Sequence, residues 1–148
     1  MKKISLFLVN IFLLCAVAAC DTPEKESVAV YKAWARETAN ANTPAGVFLT
    51  IHNDGENPLI LTGFKADNSP RVELHAVSKK DGVFSMDSKT TLTIAPETTF
   101  DFAVEEHHFM LWDMTNAIKA GDEFYMTLTF ENIGDMRVKV TTTDAAGW

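Results

Sequence analysis

The chain has 148 residues with 13 basic and 20 acidic side chains, a formal charge of −7, and 47% hydrophobic residues at a mean hydropathy of −0.01. That length and apolar content suit one domain with a real core, while the negative balance makes nucleic acid an unsuitable partner. The two cysteines, Cys15 and Cys20, both lie near the start, so no disulfide framework is available to the rest of the chain.

Read from the N-terminus, Met1-Lys2-Lys3 is a short basic start. Residues 4–19 are apolar except for Ser5 and Asn10, and Val17-Ala18-Ala19 places small residues before Cys20. The run falls short of the roughly 20 residues that cross a bilayer comfortably, so residues 1–19 are expected to be a secretion signal. Its end resembles a bacterial lipoprotein signal, which implies that Cys20 becomes the lipidated first residue and holds the protein to a membrane. Asp21 resembles an inner-membrane retention signal. Residues 20–27 then form a lipidated N-terminus and polar tether, and residues 28–148 the domain. Without its first 19 residues the chain has 129, and the loss of Lys2 and Lys3 takes its formal charge to about −9.

From there the pattern is short β-type runs between turn residues. Strands are expected at 28–35, 46–52, 59–64, 71–77, 83–86, 90–94, 98–104, 108–114, 123–130 and 136–142. Turn chemistry separates them at Asn53 to Pro58, Asp67 to Pro70, Lys79 to Gly82 and Ala120 to Asp122. Alternation is clearest near the end, where Phe124, Met126, Leu128 and Phe130 share one face. Ten short strands and no convincing long helix point to an all-β, antiparallel β-sandwich. Met114, Met126, Met136, Trp34, Trp112 and the phenylalanines after the signal read as core or near-core.

The same alternation places four chemically notable side chains. In the run from Arg71 to Val77, Val72, Leu74 and Ala76 share one face, so His75 lies on the opposite one with Arg71 and Glu73 and is expected outside the core. His108 and Met110 share a face, about 6.5–7 Å apart at Cα, and can converge on one ion. A hairpin at Asp81-Gly82 could fold Met86 back beside His75. Two imidazoles and two thioethers form a soft, neutral, cysteine-free set, which suits Cu(I) better than zinc, calcium or magnesium.

Ten residues separate His75 from Met86, twenty-one separate Met86 from His108, and one separates His108 from Met110. This H-x10-M-x21-H-x-M arrangement resembles the signature of the PCu(A)C family of periplasmic copper chaperones and matches it at all four positions. Ala33-Trp34-Ala35-Arg36, Val72-Glu73-Leu74-His75, and Gly121-Asp122 followed by Phe124 to Phe130 resemble family landmarks in family order, over about residues 30–142. The resemblance implies a cupredoxin-like β-sandwich in the periplasm that carries one Cu(I) at an exposed site and passes it to an acceptor such as a respiratory oxidase subunit. The chain departs from many members in its lipid anchor and in ending at Trp148 without a methionine- and histidine-rich tail.

Transport fits this set better than catalysis, and the protein is not expected to be an enzyme. Thioethers form no disulfides, so the site persists in an oxidising compartment, and exposed ligands can be surrendered one at a time. Two other readings carry less of the pattern. Glu105-Glu106-His107-His108 with Glu73 and His75 could suggest a zinc hydrolase, but no His-Glu-x-x-His helix accompanies them. A metal-free β-sandwich lipoprotein serving as an envelope interaction module is the alternative from another class.

Overall fold

Residues 28–104 and 106–144 are described by a computed structural model; the expected signal, Cys20 and the tether lie outside them. Ten strands run in chain order: β1 (Val28–Arg36), β2 (Ala45–Asn53), β3 (Leu59–Ala66), β4 (Arg71–Lys80), β5 (Val83–Lys89), β6 (Leu92–Ile94), β7 (Thr99–Asp101), β8 (His107–Trp112), β9 (Glu123–Phe130) and β10 (Gly134–Thr143). Each falls on an expected run, and most differ by a residue or two at their ends. The described residues are all-β.

The strands follow one hydrogen-bonded path, β5-β4-β8-β2-β1-β10-β9-β3-β6, with β7 beside the far half of β2. The path doubles back into two layers. Phe109 of β8 packs on Phe64 of β3 with ring centroids 5.5 Å apart, and it stacks on Phe102 at 4.8 Å. Leu74, Val47, Leu111, Met126, Leu128, Phe130 and Val140 complete the buried interior. In β9 the alternation is strict, with Phe124, Met126, Leu128 and Phe130 inside.

The expectation of a wholly antiparallel sandwich needs one correction. β1 pairs antiparallel with β2 but parallel with β10, through Trp34↔Thr141, Ala35↔Thr142 and Arg36↔Thr143. Hydrophobic alternation encodes which face of a strand is buried and not which way its neighbour runs, so the parallel pair left no trace in the pattern. The β1–β2 register shifts between Tyr31 and Trp34, where Lys32 takes a positive φ of 53°. This bulge lets one strand serve both layers.

One core assignment also changes. Phe84 is 55% exposed, because β5 is an edge strand whose seven residues are all solvent-facing; its ring instead receives the Lys79 ammonium at 4.8 Å. The β4–β5 hairpin closes through Asp81 and Gly82, with φ of 52° and 81°. Two successive positive φ values give the primed turn that matches strand twist. Its register sets Val77 opposite Met86 and His75 opposite Ser88.

Candidate metal centre

Strand register assembles the four side chains. β4 and β8 pair so that His75 faces His108 directly and Glu73 faces Met110, putting all four on the sheet face turned away from the core. In β5, Met86 lies opposite Val77, on that same face and one diagonal step from His75. The result is that His75 Nδ1 and Met86 Sδ approach to 3.2 Å, while the two imidazoles meet edge to face at 5.8 Å between centroids. Met86, His108 and Met110 together line a cleft of about 370 Å³ with Phe48, Gly46 and Val104.

The predicted exposure of the set holds for one member only. Met86 is 60% exposed on the edge strand, whereas His75 and His108 are 9% and 6% exposed and Met110 is half-buried. The alternation reading placed His75 on the correct face, opposite the buried Leu74. It missed that β4 and β8 are interior strands, so neighbouring side chains cover their outer face too: Glu73 and Met86 close over His75, and Phe48 lies 6.0 Å from the His108 ring.

Protonation is set by these neighbours. His75 Nε2 lies 2.8 Å from Glu73 Oε2, and since a carboxylate only accepts, Nε2 carries the hydrogen. With a single ring hydrogen placed there, Nδ1 is a bare lone pair facing the Met86 sulfur. In His108, Nδ1 is buried and has no hydrogen-bond partner among the described residues. Burial holds the His108 pKa below the usual 6.5, outweighing the backbone of Glu106 and Ala103, which pulls the other way; the ring is neutral at pH 7. The Glu73 carboxyl sits below its ordinary 4.5, chiefly through the bond from His75 and, after a smaller opposing effect of burial, through Arg71. The His75 nitrogen against Met86, with an unpartnered His108 nitrogen and Met110 in the cleft that Met86 also lines, is a donor set that fits a soft monovalent cation. An orphaned buried nitrogen is costly unless something occupies it.

Two features escaped the sequence reading. Glu73, weighed only as a hydrolase base, instead lies 2.8 Å from His75 Nε2; its place two residues away on the same face was the available signal. Gly46 stands opposite Met110, where a Cβ would come within 2.9 Å of the Phe48 ring; its absence lets that ring lie along the sheet as a cleft wall, with Trp34 against it at 4.5 Å. No periodicity marks such a pair. Among the described residues no group of three or more His, Cys, Asp or Glu side chains is arranged to hold a metal ion, and Glu105 of the hydrolase constellation lies outside them. His52 bonds Thr99 and Asp54 beside its turn, as a surface residue. Met114 and Met126 are buried and Met136 packs against the core.

Comparisons with known proteins agree with this architecture. The family described as "Putative lipoprotein LpqE-like" matches residues 28–142. "Putative lipoprotein Lxx21020" of Leifsonia xyli subsp. xyli (strain CTCB07) is 29% identical over 139 residues, covering 90% of this chain and 82% of its own. "Uncharacterized protein RP573" of Rickettsia prowazekii (strain Madrid E) is 26% identical over 114 residues, 74% of this chain and 63% of its own. The same fold occurs in the copper-bound PCuAC domain from PmoF2, at a TM-score of 0.67 and 20% identity over 79% of this chain and 92% of that one. It occurs also in CuI-DR1885 from Deinococcus radiodurans, at 0.61 and 17% identity over 88% and 85%.

Proposed function

The chain belongs to the LpqE-like family, and on that footing we propose that it is a lipid-anchored envelope metallochaperone that binds one Cu(I) through His75, Met86, His108 and Met110 and passes it to an acceptor. The observation that carries this reading is the meeting of His75 Nδ1 with Met86 Sδ at 3.2 Å, beside an unpartnered His108 Nδ1, with Met110 in the same cleft. Soft thioethers select monovalent copper, and neutral donors release it without protonation or disulfide chemistry. The lipoprotein names of its relatives support the anchor, and the copper bound by the PCuAC domain of the same fold supports the metal.

Burial orders the exchange. Met86, on the exposed edge, is the ligand an incoming acceptor displaces first, while the two covered imidazoles keep hold until the acceptor has engaged. The periplasmic face of the inner membrane, reached through lipid on Cys20, and a respiratory oxidase subunit as acceptor complete the proposal. Mass spectrometry of the processed chain reads the lipid directly, and an unmodified Cys20 would remove the anchor from it.

The copper half is tested by titrating the full chain with a competing Cu(I) chelator under reducing conditions, parent against the Met86→Leu/Met110→Leu variant. Leucine keeps volume and hydrophobicity but removes both sulfurs. Loss of an outer partner of a metal ligand costs about 10–100-fold, so loss of two ligands is expected to cost roughly 100-fold or more. A double variant that holds Cu(I) as the parent does would overturn the assignment.

A further inference from the structure

We propose that Glu73 is a positioning residue for this centre: it fixes His75 as the tautomer whose Nδ1 is bare and faces Met86 Sδ, and Arg71, seated on Trp112, fixes Glu73. The inference rests on the His75 and Met86 assignment above and adds to it the group that makes the ring competent. A neutral imidazole carries one hydrogen on either nitrogen. With that hydrogen on Nδ1, Nε2 would present a lone pair to Glu73 Oε2 at 2.8 Å, and Nδ1–H would point at Met86 Sδ at 3.2 Å and block the donor position. With the hydrogen on Nε2 the carboxylate contact becomes a hydrogen bond, and Nδ1 and Met86 Sδ turn two lone pairs toward each other, an arrangement that a metal ion held by both would satisfy.

The carboxylate is itself held. Glu73 Oε1 accepts from Arg71 at 3.0 Å, and Arg71 Nε donates to Asp113 Oδ2 at 3.2 Å. The guanidinium carbon stands 4.6 Å from the centroid of the Trp112 ring, its direct cross-strand neighbour. Arg71, Glu73 and His75 occupy alternate positions of one strand, so a rigid ladder of side chains along the β4 face ends at the metal-binding nitrogen. Surface ion pairs of this exposure contribute little to stability, which leaves orientation as what the ladder accomplishes.

The test uses the full chain, nitrogen-15 labelled and metal-free, at a pH above the histidine range of about 6.5. Long-range proton–nitrogen correlation is expected to show His75 of the parent as the pure Nε2–H form. Glu73→Ala is expected to give averaged ring nitrogens and a Cu(I) affinity about 10–100-fold weaker. Glu73→Gln, whose single amide oxygen cannot accept from both Arg71 and His75, is expected to restore the tautomer and the affinity only in part, and full parental behaviour would show that the charge-free amide suffices without Arg71. A Glu73→Ala chain in which His75 stays locked as Nε2–H with parental Cu(I) affinity would overturn the proposal. Should Glu73→Ala not fold, Arg71→Met leaves the carboxylate but frees it; partial averaging at His75 supports the ladder, and an unchanged ring refutes it. If the parent holds no Cu(I), the functional reading falls separately, and the tautomer still decides whether Glu73 orients the ring.

Discussion

Asn53→Ala tests whether the domain is held by its core and a few satisfied buried amides. Asn53, the last residue of β2, is 0% exposed. Its Nδ2 lies 2.8 Å from the Asn57 carbonyl, 3.1 Å from that of Ala95 and 3.2 Å from that of Ile94, and its Oδ1 accepts from Gly55 N at 3.0 Å. Alanine strands all four groups. Water can reach Asn57 and Ala95, whose bonds are only part-buried, whereas the Ile94 carbonyl and the Gly55 amide are enclosed. At about 1–3 kcal/mol for each enclosed group, the loss centres on about 4 kcal/mol, a large share of the roughly 5–15 kcal/mol that stabilises a domain. A domain of this size loses about 4 °C for each kcal/mol, so thermal melting followed by circular dichroism is expected to drop by about 15 °C. Asn53 also lies seven residues along β2 from Gly46, about 23 Å from the partner of Met110, so Cu(I) affinity at 25 °C is expected to stay parental. A loss below about 1 kcal/mol would refute the hydrogen-bond reasoning.

Three further outcomes follow from the site. Because burial depresses the His108 pKa, the unfolded chain takes up a proton there before the folded one as pH falls through 6.5, so stability declines below that value and levels once the folded ring titrates; Cu(I) affinity declines over the same range because a protonated ring cannot ligate, and a flat affinity profile between about pH 7 and 5 would contradict it. Gly82→Val places a branched side chain at a φ of 81° in the turn that presents Met86, and is expected to destabilise the hairpin by about 1–2 kcal/mol and weaken Cu(I) without touching a ligand; unchanged chelator competition would show that the hairpin does not position Met86. Zinc, which gains little from thioethers, is expected to bind the parent weakly by calorimetry, and tight zinc binding would return the hydrolase reading.

Much of this was legible because strands write their faces into sequence with a period of two. The alternation of Val72, Leu74 and Ala76 against His75, and of Phe109 and Leu111 against His108 and Met110, placed these three proposed ligands on their faces before any register was known. Asp81-Gly82 announced the hairpin that returns Met86. What the pattern lacks is neighbour identity. Which strand lies beside which decides that β4 and β8 are interior, and therefore that both imidazoles are covered; it also decides that β5 is an edge and Phe84 exposed. The parallel β1–β10 pair and the Gly46–Phe48 wall depend on the same long-range information, and Glu73 became interpretable only once its Oε2 was seen against His75 Nε2.

X-ray absorption at the copper K-edge of the Cu(I)-loaded full chain tests the central claim most directly. The expected spectrum is that of monovalent copper with both nitrogen and sulfur neighbours, the sulfur contribution vanishing in Met86→Leu/Met110→Leu while the nitrogen contribution remains. A first shell of nitrogen and oxygen alone in the parent, unchanged by the two leucines, would contradict the mixed histidine and methionine centre.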